Sequence, residues 1–348
     1  MEPPEGPGFR PRSPLPRAGK SRRLPLLCPG RAGEGTAWRG MVENFLVVAG
    51  QVATLFLLIR VGFILARLGV LTPEGTSQMS TLVLYMVTPC IMTRSFETPR
   101  APGMVETLSI FLGAYALCTL LGILLAQLCF RREPLDQRGP LRFGAAYGNN
   151  GFMGLPLVIA VLGSEAAIFG AVSATAFNLF LWTQGLRTMG GTITPRSALV
   201  NPATVGTVIG LTLFLTGWRP PEPVNNAISA LADLNTPLPM IILGAQMARA
   251  DLRAALADRR IWLVAAVRLL AAPLIAMVVL LPLRLEPMSY CACVVLCAVP
   301  PAGATSMMAQ RFGRDAALAA ESISAVTLLS LLTLPLFATV ALQLSGLG

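Results

Sequence analysis

Residues 148–156 read GNNGFMGLP, and this stretch interrupts an otherwise apolar run. A second interruption, PPAGATS at residues 300–306, falls at the matching place in the other half of the chain. Neither stretch can form an uninterrupted helix, because glycine and proline disfavour helix interiors. Inside a bilayer, a broken helix persists only where protein or a water-filled cavity satisfies the freed peptide groups. Paired breaks of this kind indicate the binding site of a secondary transporter.

The composition is that of a membrane protein. Of 348 residues, 54% are hydrophobic and only 13% are charged, whereas about 25% are charged in soluble domains. Glycine and proline are frequent, with 32 and 28 copies, which is typical of membrane helices that pack closely and kink. The net charge of +10 includes eight Lys/Arg among the first 40 residues. It is interpreted as a sign of membrane topology, and no nucleic-acid partner is predicted.

Apolar runs of about 20 residues predict an all-α fold with ten transmembrane helices. The predicted spans are 43–68, 75–96, 104–130, 141–162, 164–188, 201–218, 224–248, 259–283, 286–312 and 314–345. The breaks fall in the fourth and ninth spans. Both ends of the chain's helical body are expected on the same side of the membrane, because the number of spans is even.

Two five-helix repeats are predicted, at 41–190 and 201–348, joined by a linker at 191–200. Pro89 and Pro237 are separated by 148 positions, as are Gly69 and Gly217. Gly163 and Gly313 are separated by 150 positions, so they also align if the second repeat holds two additional residues before Gly313. Two long blocks with nearly the same offset favour an internal repeat. Residues 1–40 are expected to be a disordered basic tail, or to result from an upstream start.

Arginine placement predicts the orientation. Fourteen arginines lie at loops and span ends on one side, against four on the other: Arg94, Arg100, Arg219 and Arg284. Both ends of the helical body are therefore predicted on the outer side of the membrane; the family resemblance given below implies the inner membrane of a bacterium, which makes this side periplasmic. Because each repeat holds an odd number of spans, the second repeat is expected to be inverted relative to the first.

The breaks supply the candidate substrate-binding residues. Each break frees N–H groups at the start of a half-helix, where the helix dipole attracts a carboxylate. The candidates are Asn149, Asn150, Gly151, Pro300, Pro301 and Gly303, with Gly148 and Pro156 as hinge residues at the first break. The alternative interpretation is a pair of structural kinks whose asparagines bond to neighbouring helices.

Further polar residues interrupt or follow these spans. Pro89 and Pro237 break the second span of each repeat, either as hinges at the crossover or as simple bends. Asn235 lies beside the second of these breaks and is expected to line the cavity. Asn178 stands on the span that follows the first crossover break, and it is a weaker candidate because interhelical packing is the commoner role of such amides.

Charged residues within spans indicate function by default. Asp233 is expected near mid-span, where burial would make it a proton carrier. The alternative is that it pairs with an arginine such as Arg268. Glu321 is a lower-ranked candidate for proton coupling, because it stands near a span end.

No cofactor or metal site is predicted, and no enzyme. Histidine is absent, the phosphate-binding loop and the zinc-protease motif are missing, and so is the nucleophile elbow. Cys291, Cys293 and Cys297 lack the paired C-x-x-C spacing of a metal site, so they are interpreted as small packing residues.

From about Met41 to the C-terminus the chain resembles the auxin efflux carrier family, the bacterial relatives of the plant PIN-formed proteins. Residues 148–157 are similar to the family's first crossover at Asn, Met, Gly and Pro. Residues 299–303 and 308–312 resemble the second crossover, and residues 228–233 resemble the I-S-x-L-x-D pattern of the seventh helix. Two positions depart from the family: Gly148 replaces a proline and Gln310 replaces a lysine.

The resemblance implies two inverted five-helix repeats, a scaffold with a dimer contact, and a moving domain whose crossed helices bind a carboxylate at Asn149. The expected function is secondary transport of small organic anions, such as malate, malonate or auxin-like acids, by an elevator movement in the bilayer. The expected partners are the substrate anion, a second copy and a coupling proton, with sodium less favoured. The alternatives are a sodium-coupled symporter of the bile-acid type, which shares the crossed helices, and a membrane sensor that binds an anion without moving it.

Overall fold

A computed structural model describes residues 34–97, 102–192 and 202–347. The chain divides into two units, Met1–Arg39 and Gly40–Gly348, and apart from the start of the first helix everything below concerns the second. Most of the predicted tail, and most of the predicted linker at 191–200, lie outside the described residues. The first helix already begins at Glu34, so residues 34–40, which were assigned to a disordered tail, are helical.

The described residues form thirteen helical segments, with a single isolated β-bridge between Gly148 and Pro301 as their only β contact. The segments are α1 Glu34–Arg67, α2 73–95, α3 Met104–Cys129, α4 Leu135–Ala146, α5 Asn150–Leu162, α6 Ser164–Thr188, α7 Pro202–Thr216, α8 Glu222–Met247, α9 Leu252–Ala257, α10 Arg259–Leu283, α11 Pro287–Ala298, α12 Ala304–Arg311 and α13 Ala316–Ser345.

Within the described part of the chain, six helices are long and apolar enough to cross a membrane: α3, α6, α8, α10, α13 and the Phe45–Arg67 part of α1. Three shorter apolar helices, α5, α7 and α11, accompany them. The difference from the ten predicted spans has a physical reason. Four predicted spans are not among the six. The fourth and ninth are each divided into two helices and α7 is short, so none of these helices reaches the length of about 20 residues that a bilayer requires. The helix α2 is long enough, but its first part, Pro73–Leu82, is polar. The prediction of an all-helical fold is confirmed in these residues.

Close helix packing depends on small residues at the contacts. An added Cβ on Gly62 of α1 would lie 2.0 Å from the carbonyl oxygen of Ile241 in α8. One on Gly244 of α8 would lie 1.9 Å from the carbonyl oxygen of Ile59. The backbones of α1 and α8 therefore touch directly, in the manner of membrane helices whose interfaces consist of small residues.

The helix α11 lies at the centre of the molecule. Every residue from Ser289 to Ala298 is buried, and α11 packs against α3, α5, α6, α10 and α13. Its sequence is rich in cysteine and alanine, whose small side chains allow five neighbours to approach. The end of this helix is one of the two breaks, so the break is held from several sides.

Candidate functional site

The two predicted breaks contact each other. The N–H of Asn149 donates to the carbonyl oxygen of Pro300 at 2.8 Å, and the N–H of Ala302 donates to that of Tyr147 at 2.9 Å. Between these bonds, Gly148 and Pro301 form an antiparallel bridge. Two short extended segments, each flanked by half-helices, therefore satisfy part of each other's freed backbone.

The C-terminal ends of α4 and α11 are held by the side chain of Arg268. This buried guanidinium in α10 donates to the carbonyl oxygen of Val299 at 2.7 Å, of Cys297 at 2.9 Å, of Ala146 at 3.0 Å and of Leu296 at 3.4 Å. The last carbonyls of a helix lack intrahelical partners and carry a partial negative charge. A single cation thus stabilises both half-helix ends at the contact of the breaks.

Gly148 makes this arrangement sterically feasible. A Cβ at position 148 would lie 2.5 Å from Nη2 of Arg268 and 2.8 Å from Cγ2 of Val299. At Gly151 and Gly303, by contrast, an added Cβ would meet nothing within 4 Å. The first glycine therefore serves close packing, whereas the other two face open space, as expected for residues that a ligand approaches.

The N-terminal end of α5 presents free donors. Asn149 accepts hydrogen bonds from Met153 and Gly154 through its carbonyl oxygen, both at 3.0 Å, which widens the first turn into a π-helix. No described residue accepts a hydrogen bond from the N–H of Gly151 or Phe152. Such unpaired groups at a helix start attract anions.

Three asparagines surround these donors. The Asn149 side chain is 7% exposed and bonds to no side chain or backbone group among the described residues. Asn150 is 1% exposed and donates through Nδ2 to the Tyr115 hydroxyl, while Asn235 donates through Nδ2 to the carbonyl oxygen of Gly151 at 2.9 Å. The Oδ1 atoms of Asn150 and Asn235 are buried without a partner.

A cavity of about 200 Å³ opens beside these residues. Both half-helix starts line it, through residues 148–152 and 302–304, together with Asn178 and Asn235. Gln246, Trp182 and Pro202 line its other end, so it extends toward the helix ends that hold more arginines. No aspartate, glutamate, lysine or arginine of the described chain lines it.

A second cavity, of about 470 Å³, lies on the other side of the contact. Its lining includes Arg94, Glu97 and Glu165 at the ends of α2 and α6, and therefore carries charges of both signs. Ile91 and Asn235 line both cavities. The breaks thus lie between two cavities that extend toward opposite helix ends.

The hinge candidates take local positions that fit proline. Pro89 and Pro237 each occupy the first turn of a helical segment. A π-turn at Val83–Val87 precedes the first of them, and a 3-10 turn at Asp233–Asn235 precedes the second. Proline lacks an N–H and cannot continue the hydrogen-bond pattern of a regular helix. The irregular turn before each proline replaces that pattern locally. Pro156 stands in the first turn of Leu155–Leu162 and lines the second cavity.

The expected burial of Asp233 is wrong. Its side chain is 70% exposed and pairs with Arg94, whose side chain is 41% exposed. The partner considered from the sequence, Arg268, instead contacts only backbone carbonyls among its hydrogen-bond partners. The 3-10 turn that begins at Asp233 carries Asn235 inward and leaves Asp233 at the second cavity. The carboxylate therefore lies at the second cavity and is paired with Arg94.

The remaining candidates lie farther from the breaks. Asn178 lines the first cavity, but its Nδ2 already donates to the carbonyl oxygen of Ala174 at 2.8 Å within its own helix. Glu321 is half-buried near the start of α13, and it interacts electrostatically with Asp251, Asp258 and Asp315. Its surroundings are a polar helix end outside the first cavity.

Sequence reasoning missed two side chains at the contact. Arg268 was considered only as a partner for Asp233, and Tyr115 was not considered. A buried arginine in an otherwise apolar span was the available signal for the first of these, because such a charge requires partners. Nothing in the spacing of α3 indicates that Tyr115 reaches Asn150.

Comparison with known proteins agrees with these features. The profile of the family described as "Membrane transport protein" matches the chain twice, over residues 47–194 and 191–338. An uncharacterized transporter of Methanothermobacter thermautotrophicus is 28% identical over 313 residues, which cover 85% of this chain and 99% of that protein. A protein of Rhizobium meliloti with the provisional name malonate transporter is 25% identical over 305 residues, covering 82% and 93%. The chain therefore belongs to this membrane transport protein family, the auxin efflux carrier family that its crossover residues resembled, and is a multi-pass membrane protein.

Proposed function

We propose that this protein is a secondary transporter of small organic anions, with the carboxylate bound where the two breaks meet. The observation that carries the proposal is the first cavity. It combines free N–H donors of Gly151 and Phe152 with amide groups of Asn149 and Asn235, and none of the described residues that line it is acidic. These are the features of an anion site built from helix starts.

The electrostatics favour an anion over a cation. The starts of α5 and α12 each bring roughly half a positive charge toward the cavity. Arg268 lies directly behind Gly148, which lines the same cavity, although most of its charge is offset by the two helix C-termini that it caps. In a low-dielectric interior these charges act strongly. A carboxylate entering the cavity would neutralise them, whereas a bare cation would find, among the described residues, only uncharged oxygens of amides and of the Ser80 and Thr88 hydroxyls.

A dicarboxylate or monocarboxylate of malonate or malate size is the proposed substrate class. The cavity of about 200 Å³ is smaller than the range of about 300–1,000 Å³ that drug-sized ligands occupy. The relative in Rhizobium meliloti carries the provisional name malonate transporter. Auxin-like acids belong to the same chemical class, and the proposal extends to them.

The proposed architecture is ten spans in two inverted five-helix repeats. Positions that the sequence pairs have matching backbones: Gly69 and Gly217 both adopt positive φ, at 74° and 70°. Pro89 and Pro237 both follow an irregular turn. The two interrupted helices occupy equivalent places near the end of each repeat, as in transporters built from inverted repeats.

Alternating access is proposed to move the crossover between the two cavities. In the orientation predicted from the arginines, the first cavity faces the cytoplasm and the second faces the opposite side. An elevator movement of the crossover against a scaffold would carry the bound anion from one cavity to the other. The chain contains no P-loop, so an ion or substrate gradient is the proposed source of energy.

Malonate binding by the purified protein tests the site. Asn149→Ala is expected to weaken binding at least about tenfold, because a hydrogen bond to a charged group contributes about 1.5–3 kcal/mol. The matched control is Asn178→Ala, which removes an amide from the same cavity that is already bonded to its own helix. Equal binding by both variants and the parent protein, in a screen that includes mono- and dicarboxylates, would refute the proposed site.

Flux into proteoliposomes tests transport itself. Uptake of radiolabelled malonate is expected to depend on Asn149 and to respond to an imposed proton gradient more than to a sodium gradient. Sodium-dependent uptake would favour the symporter alternative. Binding without flux under any gradient would mean that the protein is a sensor.

The candidates for proton coupling remain Asp233, which lines the second cavity and pairs with Arg94, and Glu321. Asp233→Asn and Glu321→Gln are the variants that test proton coupling.

The proposed homodimer in a bacterial inner membrane is supported by the family resemblance alone, and the mass of the detergent-solubilised particle tests it.

A further inference from the structure

Three cysteine side chains meet next to the crossover. Cys293 and Cys297 stand four residues apart on α11, so they share one helix face, and Cys118 reaches them from α3. Their Sγ atoms all lie within 4.8 Å of one another. All three cysteines are buried and none is in a disulfide. This is the only group of three or more potential metal ligands within the described residues.

The spacing fits a shared metal ion. Zinc–thiolate bonds are about 2.3 Å long, so three sulfurs around one ion are separated by about 4 Å. Sulfur atoms that already lie within 4.8 Å of one another need to move by only a fraction of an ångström each. The rotation of a cysteine side chain about one bond supplies that movement without a change in the helices.

The charge around the three thiols also favours an ion. Three thiolates carry a net charge of −1 with a divalent ion and −2 with a monovalent one. Arg268 carries +1, and its Nη2 donates to the carbonyl oxygen of Cys297 at 2.9 Å. No carboxylate of the described residues pairs with Arg268, whose hydrogen bonds all go to backbone carbonyls. The excess negative charge of the ion and its thiolates would therefore lie beside the positive charge of Arg268, which otherwise faces only the partial charges of helix ends.

We propose that Cys118, Cys293 and Cys297 form a binding site for a thiophilic metal ion with a filled d shell, Zn²⁺ or Cu⁺. Thiolate ligands select such ions. Binding releases the three thiol protons and forms three metal–sulfur bonds. The ion would join α3 to α11 beside the crossover and stabilise that contact. This site is separate from the proposed anion site, and it replaces the expectation that Cys293 and Cys297 serve packing alone.

Metal content of the purified protein tests the site. The protein is produced in cells supplied with Zn²⁺ and, in a parallel culture, with copper, then purified under reducing conditions and analysed by elemental mass spectrometry. One ion per chain is expected for at least one of the two metals. Cys297→Ser and Cys118→Ser are expected to reduce the metal content to background, because two thiolates bind far more weakly than three.

Cys291→Ser is the matched control, because Cys291 is equally buried on the same helix and lies outside the three-thiol cluster. It is expected to retain the ion. Thermal unfolding gives a second readout: a chelator should lower the melting temperature of the parent protein and of Cys291→Ser, but leave Cys118→Ser unchanged. If one serine variant fails to fold, the other, on a different helix, still tests the proposal.

Several results would overturn the proposal. They are the absence of both metals from the parent protein, retention of the ion by the two cluster variants, and a disulfide between two of the three cysteines in the intact protein. Because malonate binding is measured separately, a failure here leaves the proposed transport function standing.

Discussion

Gly148 is the residue on which the close contact of the two breaks depends. The resemblance to the family shows a proline at this place, and the sequence alone suggests only a looser bend. The structure gives a steric reason instead. The position of a Cβ at residue 148 is already occupied by the Arg268 guanidinium and by Val299, so the smallest residue allows the arginine to reach both half-helices.

Gly148→Ala is therefore expected to destabilise the protein by about 1–3 kcal/mol, the usual effect of forcing an extra carbon into a packed interior. Gly303→Ala is the control, because an added Cβ there meets nothing within 4 Å. Thermal unfolding in detergent should show a lower melting temperature for the first variant and no comparable change for the second. Similar melting temperatures would mean that Arg268 can withdraw without a cost.

The two breaks create four helix ends, and these ends have two different kinds of surroundings. The C-terminal ends of α4 and α11 share the charge of Arg268, whereas the starts of α5 and α12 are left facing a cavity. This division makes one side of the contact structural and the other side available to a ligand. Helix dipoles explain it, because carbonyl ends attract a cation and N–H ends attract an anion.

Arg268→Met is expected to destabilise the protein by several kcal/mol, since buried carbonyls that lose a partner cost about 1–3 kcal/mol each. Arg268→Lys should recover only part of this, because an ammonium group cannot span both half-helices in the guanidinium's fork geometry. Arg94→Met is the control; its exposed ion pair with Asp233 is worth at most about 1 kcal/mol. Melting temperatures of the three variants make the comparison, and equal shifts for Arg268 and Arg94 would contradict the capping role.

The start of α10 offers a test that depends on pH. Asp258 accepts hydrogen bonds from the N–H of Arg260 at 2.8 Å and from its guanidinium at 2.6 Å. These bonds hold the pKa of Asp258 below its ordinary value of 3.8. A lowered carboxyl pKa means that the stabilisation is fully present above the unfolded pKa and is lost as the pH falls through the folded one.

Asp258→Asn keeps the capping geometry but removes the charge, so its deficit in stability relative to the parent protein should disappear as the pH falls below about 4. Asp258→Ala also loses the cap, worth about 1 kcal/mol, and should remain less stable than the asparagine variant at neutral pH. Unfolding followed from pH 3 to pH 7 gives the measurement. A deficit that is independent of pH would show that the ion pair contributes nothing.

At the scale of the whole molecule, the prediction concerns orientation. Arg132→Cys, after α3, and Arg219→Cys, after α7, place single exposed thiols at opposite helix ends. On intact cells a membrane-impermeant maleimide should label position 219, and position 132 only after lysis, because arginines accumulate on the cytoplasmic side. The parent protein supplies the background from its native cysteines. The reverse pattern would invert the assignment of the two cavities.

Much of the fold was accessible from the sequence, because hydropathy and helix breakers act locally. The spans predicted at 104–130, 164–188 and 259–283 agree within a residue with α3, α6 and α10. The helix α4 begins at Leu135 rather than at 141, since its first turns are polar and escaped a search for apolar runs. The two breaks were likewise recognised from glycine, proline and asparagine in apolar surroundings.

Hydropathy and helix-breaking residues are enough to predict a membrane-embedded helical chain with two interrupted helices, the first of which carries asparagine at its interruption. The packing of the helices decides which groups meet at these interruptions. It brings Asn235 to Gly151, Arg268 to four carbonyls and Cys118 to two cysteines of α11, and it leaves Asp233 exposed beside Arg94. The physical reason is that hydropathy and backbone preferences act on neighbouring residues, whereas partners for a buried charge or amide come from helices that are distant in the chain and packed side by side.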